Sequence, residues 1–138
     1  RGRRARPAGV LPLRALPQGT SSPPRRTRST FCHCARCRKA NGTTFLAAVT
    51  EEPATFTVSD PHARLASYES SPGVFRKFCG HCGSPLFSHR PGPPEVIRLR
   101  PGTLDSAFAG PVTAHIFHRD RAAWLEGAEH APTYDERP

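Results

Sequence analysis

CHCARC, at residues 32–37, is the segment on which the architecture of this chain depends, and a second segment, CGHC at residues 79–82, complements it. Together they contain all five cysteines of the 138-residue sequence. A tight turn can direct cysteines spaced two or three residues apart at a single metal ion, and zinc prefers such hooks. We call the two segments the first hook and the second hook. Their spacing predicts a small zinc-binding domain.

Two arrangements of the five thiolates fit these spacings. In one, Cys34, Cys37, Cys79 and Cys82 close a single structural four-cysteine site and Cys32 is left over. In the other, Cys32, Cys34 and Cys37 hold one ion and leave its fourth position open, which is typical of a catalytic zinc. The Cys-x-Cys-x2-Cys spacing is unusual for a zinc ribbon and favours the second arrangement.

Size and composition indicate one modest domain. Apolar residues make up 36% of the chain, and 16 residues are proline, so the core is small and a structural metal would add needed stability. No run of about 18 apolar residues occurs, which predicts that the chain does not span a membrane. Cysteines in hook spacing, without an even-numbered disulfide framework, fit a reducing compartment, and we expect a cytoplasmic protein.

The net charge of +9 is concentrated at one end. Residues 1–28 contain eight arginines and no acid, whereas the remainder has 12 basic and 11 acidic residues. Five prolines interrupt the same stretch, so we predict an irregular basic tail over 1–28 that packs little. Nucleic acid is an expected partner only through this tail, because clustered arginines bind phosphate but no aromatic residue is present for base stacking.

Short β-rich runs follow at intervals of roughly ten residues, separated by Gly, Pro or Asp-Pro, which is the pattern of an antiparallel all-β domain. Helix is scarce: one short helix is predicted over Cys34–Asn41, ended by Gly42, and another over Arg121–Glu126. The predicted strands are Thr43–Thr50, Ala54–Val58, Arg64–Glu69, Val74–Cys79, Ser84–His89, Glu95–Arg100 and Val112–His118.

Four longer motifs carry a resemblance to a known family. They are CHCARCRKANGTTF, SYESSPGVFRKFCGHCGSPLF, IRLRPGTLD and HIFHRDRAAW, and they run in order from about Phe31 to Trp124. The chain is similar to the glutathione-dependent formaldehyde-activating enzyme family, also called the GFA/CENP-V family. The resemblance implies a β-tent fold of packed antiparallel sheets, so the expected fold class is mainly β with two zinc hooks and little helix.

The resemblance also implies a metal complement. Cys32, Cys34 and Cys37 match the family's catalytic-type zinc motif. Cys79 and Cys82 match one half of a structural four-cysteine zinc site. The other half, an early Cys-x-Cys strand, has no counterpart here, because its place is taken by the tail. The expected domain is therefore 29–138 without that strand, with one zinc bound and the second site incomplete; His81 and His33 are the candidate replacement ligands.

The origin of residues 1–28 is a separate hypothesis. Their Arg, Pro, Ala and Gly bias suggests a frameshifted stretch of a GC-rich gene rather than native family sequence. Reading the upstream DNA in the other frames tests this, and finding no encoded Cys-x-Cys would contradict it.

Two functions follow as expectations. The first is a zinc-dependent carbon–sulfur lyase that acts on a small thiol adduct, as in formation of S-hydroxymethylglutathione from formaldehyde and glutathione. The alternative is a non-catalytic zinc module that binds a protein or nucleic-acid partner. No Ser/His/Asp arrangement, phosphate loop or paired carboxylates appear, so the sequence nominates metal ligands and no general base.

Four further side chains merit an interpretation. His115 and His118 lie three apart in a predicted strand, which places them on opposite faces and argues against a shared ligand. Trp124 is expected to pack in the core together with Phe117 rather than to form a substrate platform.

Overall fold

The computed structural model describes residues 13–15, 29–104 and 110–138. Within these ranges, nine short strands account for most of the regular structure. They are β1 Leu13–Ala15, β2 Ser29–Cys32, β3 Leu46–Glu51, β4 Phe56–Val58, β5 Leu65–Ser71, β6 Val74–Cys79, β7 Pro85–Arg90, β8 Val96–Leu99 and β9 Val112–Ile116.

Seven of these strands form one sheet in the order β5-β6-β7-β8-β3-β2-β9, and β1 pairs with β4 in a separate two-stranded sheet. All pairs are antiparallel except β2 with β9, which run parallel and bring Phe31 opposite His115. The mainly β class with little helix is confirmed. The sheet is mixed rather than purely antiparallel, because β9 returns to the sheet edge from a long connection.

The alternation of side chains gives the large sheet two faces. One face carries the apolar core, where Val49, Phe87 and Leu99 are cross-strand partners in β3, β7 and β8. Ile97, Leu86 and Cys79 extend this cluster, and Phe56, Val58, Leu65 and Leu104 pack against it. Burial of such side chains stabilises the fold by roughly 1.5–3 kcal/mol each. The opposite face carries Cys32, Leu46 and Ala48.

Helical structure is short. The α-helix α1 covers Ala35–Asn41 and ends at Gly42, whose left-handed backbone (φ 62°, ψ 36°) lets its N–H bond to the carbonyl of Arg38. This agrees with the predicted helix and its glycine stop. The remaining helical turns are 3-10 turns at Pro53–Thr55, Pro101–Thr103, His118–Asp120, Ala123–Leu125 and Ala128–His130.

The seven predicted strands are all present; β6 matches at both ends, and no end of the others shifts by more than three residues. Strand β2 was not predicted, because its four residues carry no sustained alternation. Of the predicted irregular tail, the structure describes Leu13–Ala15, which pairs with β4 as a strand; this differs from the predicted irregular chain. The other residues of 1–28 lie outside the described residues.

The packing prediction for the aromatic pair is wrong. Trp124 is 72% exposed and Phe117 is 54% exposed. Both follow β9, whose residues are exposed along its whole length, so this edge of the sheet offers them no covering layer. Among the described residues, no helix combines the length and apolar character needed to cross a membrane.

Candidate metal centre

The first hook lies where β2 ends and α1 begins. Cys32 is the buried last residue of the strand, Cys34 is the N-cap of the helix, and Cys37 is in its first turn. The backbone N–H of Cys37 donates to Cys34 Sγ at 3.4 Å, which folds the chain back on itself within three residues. The strand end, the cap and the first helical turn thereby direct three thiols to one point.

The geometry of the three sulfurs suits a metal ion. All three Sγ atoms lie within 4.8 Å of one another, and those of Cys32 and Cys34 are 3.6 Å apart. Zinc–sulfur bonds of about 2.3 Å in a tetrahedron require sulfurs about 3.8 Å apart. The group contains no fourth His, Cys, Asp or Glu ligand among the described residues. Cys32, Cys34 and Cys37 could therefore hold an ion with one position left over.

The local environment acts in opposite directions on the pKa values of two of the thiols, Cys32 and Cys34. Burial raises the pKa of Cys32 to about 12, since little water reaches it to solvate the thiolate. Burial also acts on Cys34, but hydrogen bonds from the backbone of Cys37 and from the neighbouring thiols outweigh it and lower its pKa. Cys34 is thus better prepared to ionise than Cys32, and a metal ion would supply the charge that Cys32 requires to follow.

The backbone around this hook is braced from several sides. Arg38 donates from Nε to the carbonyl of His33 at 3.2 Å, and Asn41 donates from Nδ2 to the carbonyl of Cys37 at 2.8 Å. His33 N–H donates to the carbonyl of Ile116 at 3.0 Å, which ties the hook to β9. These hydrogen bonds hold the backbone of the hook in place without a metal ion. Metal binding would therefore cost little conformational entropy.

Behind the hook, on the opposite face of the sheet, three histidine rings meet. His33 is fully buried and its Nε2 lies 2.9 Å from Nδ1 of His115; the His33 and His118 ring centroids are 5.2 Å apart. Burial lowers the pKa of His33, and the charges of His115, His118 and Arg121 act in the same direction. A neutral His33 therefore joins β2 to β9.

The prediction that His115 and His118 face opposite ways is wrong: their ring centroids are 5.7 Å apart. The strand ends at Ile116, and Phe117 adopts a left-handed backbone conformation (φ 52°) that turns His118 back toward His115. The periodicity of two applies only while the strand continues. The sequence gives no signal for this turn, since a non-glycine residue seldom adopts it.

The second hook forms a tight turn at the end of β6. Cys79 N–H donates to the carbonyl of Ser84 at 2.9 Å, and Gly83, with φ 78°, donates to the carbonyl of Cys79 at 2.7 Å. Cys79 is fully buried and Cys82 is exposed. Hydrogen bonds from the side chain and backbone of Ser84 lower the pKa of Cys82.

Within the described part of the chain, the second hook joins no third ligand. Neither His81, which is exposed, nor His33 belongs to a metal-ligating group with Cys79 and Cys82. The four-cysteine arrangement of Cys34, Cys37, Cys79 and Cys82 is not formed there either. The two hooks belong to separate apolar clusters on the two faces of the sheet.

A cavity of about 410 Å³ opens beside the first hook. The three hook cysteines line it together with apolar side chains and with polar and basic ones, among them Ser88, Arg76, Arg98 and Arg100. This volume lies within the range of about 300–1,000 Å³ typical of small-molecule sites. Sequence reasoning missed the arginines because their convergence depends on the register of three strands.

Comparisons with known proteins agree with this description. The sequence profile of the family described as glutathione-dependent formaldehyde-activating enzyme matches residues 19–120, which is more than half of the chain. A crystal structure of a Rhodobacter sphaeroides protein superimposes with a TM-score of 0.51 at 19% identity, covering 76% of this chain and 89% of that one. At this identity the likeness concerns the fold alone. No curated protein sequence matches the chain significantly.

Proposed function

Because the chain belongs to the glutathione-dependent formaldehyde-activating enzyme family, we propose that it is a zinc-dependent carbon–sulfur lyase acting on a small thiol adduct. The reaction is the condensation of formaldehyde with glutathione to S-hydroxymethylglutathione, and its reverse. One observation carries the proposal: three converging sulfurs with a remaining ligand position border a cavity of substrate size.

The residues of the first hook fit zinc by the chemistry of the donor set. Three thiolates are soft ligands with the tetrahedral spacing that zinc accepts, and the site is built on a strand end and a helix cap rather than on a loose loop. Cys32, Cys34 and Cys37 would hold the ion. Bound there, zinc would supply Lewis acidity that lowers the pKa of a thiol at the remaining position.

In the condensation, the thiol sulfur attacks the carbonyl carbon of formaldehyde and forms the carbon–sulfur bond. The thiol proton leaves the sulfur and the carbonyl oxygen gains one, so the product is a hydroxymethyl thioether. The reverse reaction breaks the same bond and returns both components. The hook cysteines act as ligands rather than nucleophiles. The chain's own contribution is to position the thiol and to limit water in the cavity.

The second hook has a different role in this proposal. Cys79 and Cys82 form half of a structural zinc site, which binds metal much less tightly than a complete one. Free hook thiols require reducing conditions, so we place the protein in the cytoplasm. Nucleic acid is a partner only if the arginine-rich residues 1–28 reach it.

Zinc stoichiometry combined with a thiol titration tests the proposal. The chain is loaded with Co²⁺ in place of zinc, and the visible spectrum is followed as glutathione is added. We expect the ligand-field bands to shift as a fourth sulfur enters. Exchange between ¹³C-formaldehyde and its glutathione adduct, measured by NMR, should then be faster with the protein than without it.

Two variants complete the test. Cys34→Ser should abolish both the spectral shift and the accelerated exchange, whereas Cys82→Ser should leave both intact. A cobalt spectrum with four protein sulfurs and no response to glutathione would support the alternative function, a non-catalytic zinc module.

A further inference from the structure

We propose that Arg76, Arg98 and Arg100 form an anion subsite in the cavity beside the first hook, which selects thiol substrates that carry a carboxylate. That the ligand carries a thiol rests on the proposed function, whereas that it carries a carboxylate is argued from the arginines alone. Arg100 carries the first step of the argument. Its side chain is buried (8% exposed), and its Nη1 donates to the carbonyl of Arg98 at 3.1 Å.

The Nε of Arg100 has no hydrogen-bond partner among the residues that the structure describes. Burial, together with repulsion from Arg76 and Arg98, lowers the pKa of Arg100 to about 10, while the charges of Cys37 and Cys32 act in the opposite direction. The guanidinium is still protonated at neutral pH. A buried cation with an unsatisfied donor destabilises a fold unless an anion pairs with the charge and accepts the hydrogen bond.

The strand register places two more arginines alongside. Arg76 of β6 is paired with Ser88 of β7, and Ser88 is paired with Arg98 of β8, so the three side chains form one row across the sheet. Arg100 lies two residues beyond Arg98 and shares its face. Like charges on one face repel. Within the described ranges, no carboxylate forms an ion pair with any of the three arginines.

The same cavity contains the sulfurs and the arginines. Cys32, Cys34 and Cys37 line it together with Arg76, Arg98 and Arg100. A ligand whose sulfur reaches the hook therefore has its other end among guanidinium groups, which bind carboxylates in a two-pronged geometry. A neighbouring cavity of about 670 Å³ shares Arg36, Arg76 and Arg100 and gives room for a longer, doubly charged thiol. Short neutral thiols would leave the arginines uncompensated.

A different explanation is that the arginines only offset the negative charge of the hook thiolates. That role requires no carboxylate on the ligand, so it predicts equal binding of charged and neutral ligands. The two explanations separate when the sulfur of the probe is blocked, because binding then depends on the other end of the molecule.

The probe is S-methylglutathione, which has no free thiol, and its control is the dimethyl ester, which has no carboxylates. Binding to the zinc-loaded full chain is measured by calorimetry at low ionic strength. We expect the acid to bind at least tenfold more tightly than the ester. Arg98→Gln and Arg76→Gln, both at positions less buried than Arg100, should each lower the affinity for the acid about tenfold. The affinity for the ester should stay unchanged.

Arg90→Gln is the matched control, because it removes the same charge from an exposed position outside both cavities. It should leave both affinities unchanged. Equal affinity of acid and ester, or equal losses in Arg98→Gln and Arg90→Gln, would overturn the subsite. Turnover is measured separately. Tighter binding of the acid than of the ester without formaldehyde exchange refutes the proposed function alone. Formaldehyde exchange with equal binding of acid and ester refutes the subsite alone.

Discussion

The two hooks look alike in sequence and differ in the structure in what completes them. At the first, strand β2 and helix α1 meet and bring Cys32, Cys34 and Cys37 to within 4.8 Å of one another. At the second, a turn places buried Cys79 and exposed Cys82 side by side, with no third ligand among the described residues. Spacing alone thus specifies the turn. A metal site also needs a third ligand from the flanking elements.

The largest effect separating the hooks should be on metal binding. Cys34→Ser removes one of three thiolates while its hydroxyl can still cap α1, so zinc content should fall from about one per chain to a small fraction for lack of a ligand rather than loss of the helix. The expected loss of affinity exceeds the roughly 10–100-fold caused by removing an outer-shell partner. Elemental analysis after a mild chelator measures it.

Cys82→Ser provides the comparison in the same assay, and it should retain about one zinc per chain. Two zincs per wild-type chain that survive the chelator, or equal losses in the two variants, would mean that the second hook is a complete site.

The stability of the second hook should depend on the packing of its apolar cluster more than on a metal ion. Leu99 is fully buried in the cluster that contains Cys79, so Leu99→Ala should lower the free energy of unfolding by about 2–5 kcal/mol, through lost transfer energy and a cavity. Cys82→Ala, at an exposed position, should stay within about 0.5 kcal/mol. Urea unfolding of both variants checks the difference; a larger loss in Cys82→Ala would show that metal holds this turn.

A smaller effect is expected where α1 ends. Gly42 has a left-handed backbone with open space where a side chain would stand, so Gly42→Ala should cost about 1–2 kcal/mol through backbone strain alone. Because the helix carries Cys37, zinc affinity should fall modestly as well. Ala40→Gly, which changes an exposed helical residue instead, is the control, at about 1 kcal/mol with no change in zinc affinity.

The smallest effect concerns a loop beside the second hook. Asp60 accepts hydrogen bonds from the N–H groups of Arg64 and Leu65 at 2.7 and 2.9 Å, and these lower its pKa. A depressed folded pKa adds stability above the ordinary value near 3.9 and loses it as pH falls through the folded value. Asp60→Asn should therefore lower the melting temperature slightly.

The difference in melting temperature between Asp60→Asn and wild type should be constant from pH 7 to 5 and should vanish in acid. Thermal scans across this pH range measure it. A difference that grows as the pH falls would contradict the assignment to the carboxylate.

These contrasts also show how far the sequence alone could lead. The hooks, the short helix with its Gly42 stop and seven strands follow from local patterns, since spacing, alternation and turn residues are local properties. The meeting of His33 with His115 depends on a parallel pairing between residues 82 positions apart, and Arg76 meets Arg98 only through the register of three strands. Local patterns do not encode register. The turn at Phe117, which brings His118 back toward His115, escaped prediction because a left-handed backbone is unusual for a non-glycine residue.

The parallel pairing of β2 with β9 has a consequence for the order of events during synthesis. The ribosome makes β2 well before β9, and that partner strand is complete only at Ile116. Until then the three thiols emerge on a strand without its edge neighbour, and contacts of such long sequence separation form slowly. We expect metal loading to be a late step, so that a nascent chain released before residue 112 leaves reactive thiols where the finished protein has a zinc centre.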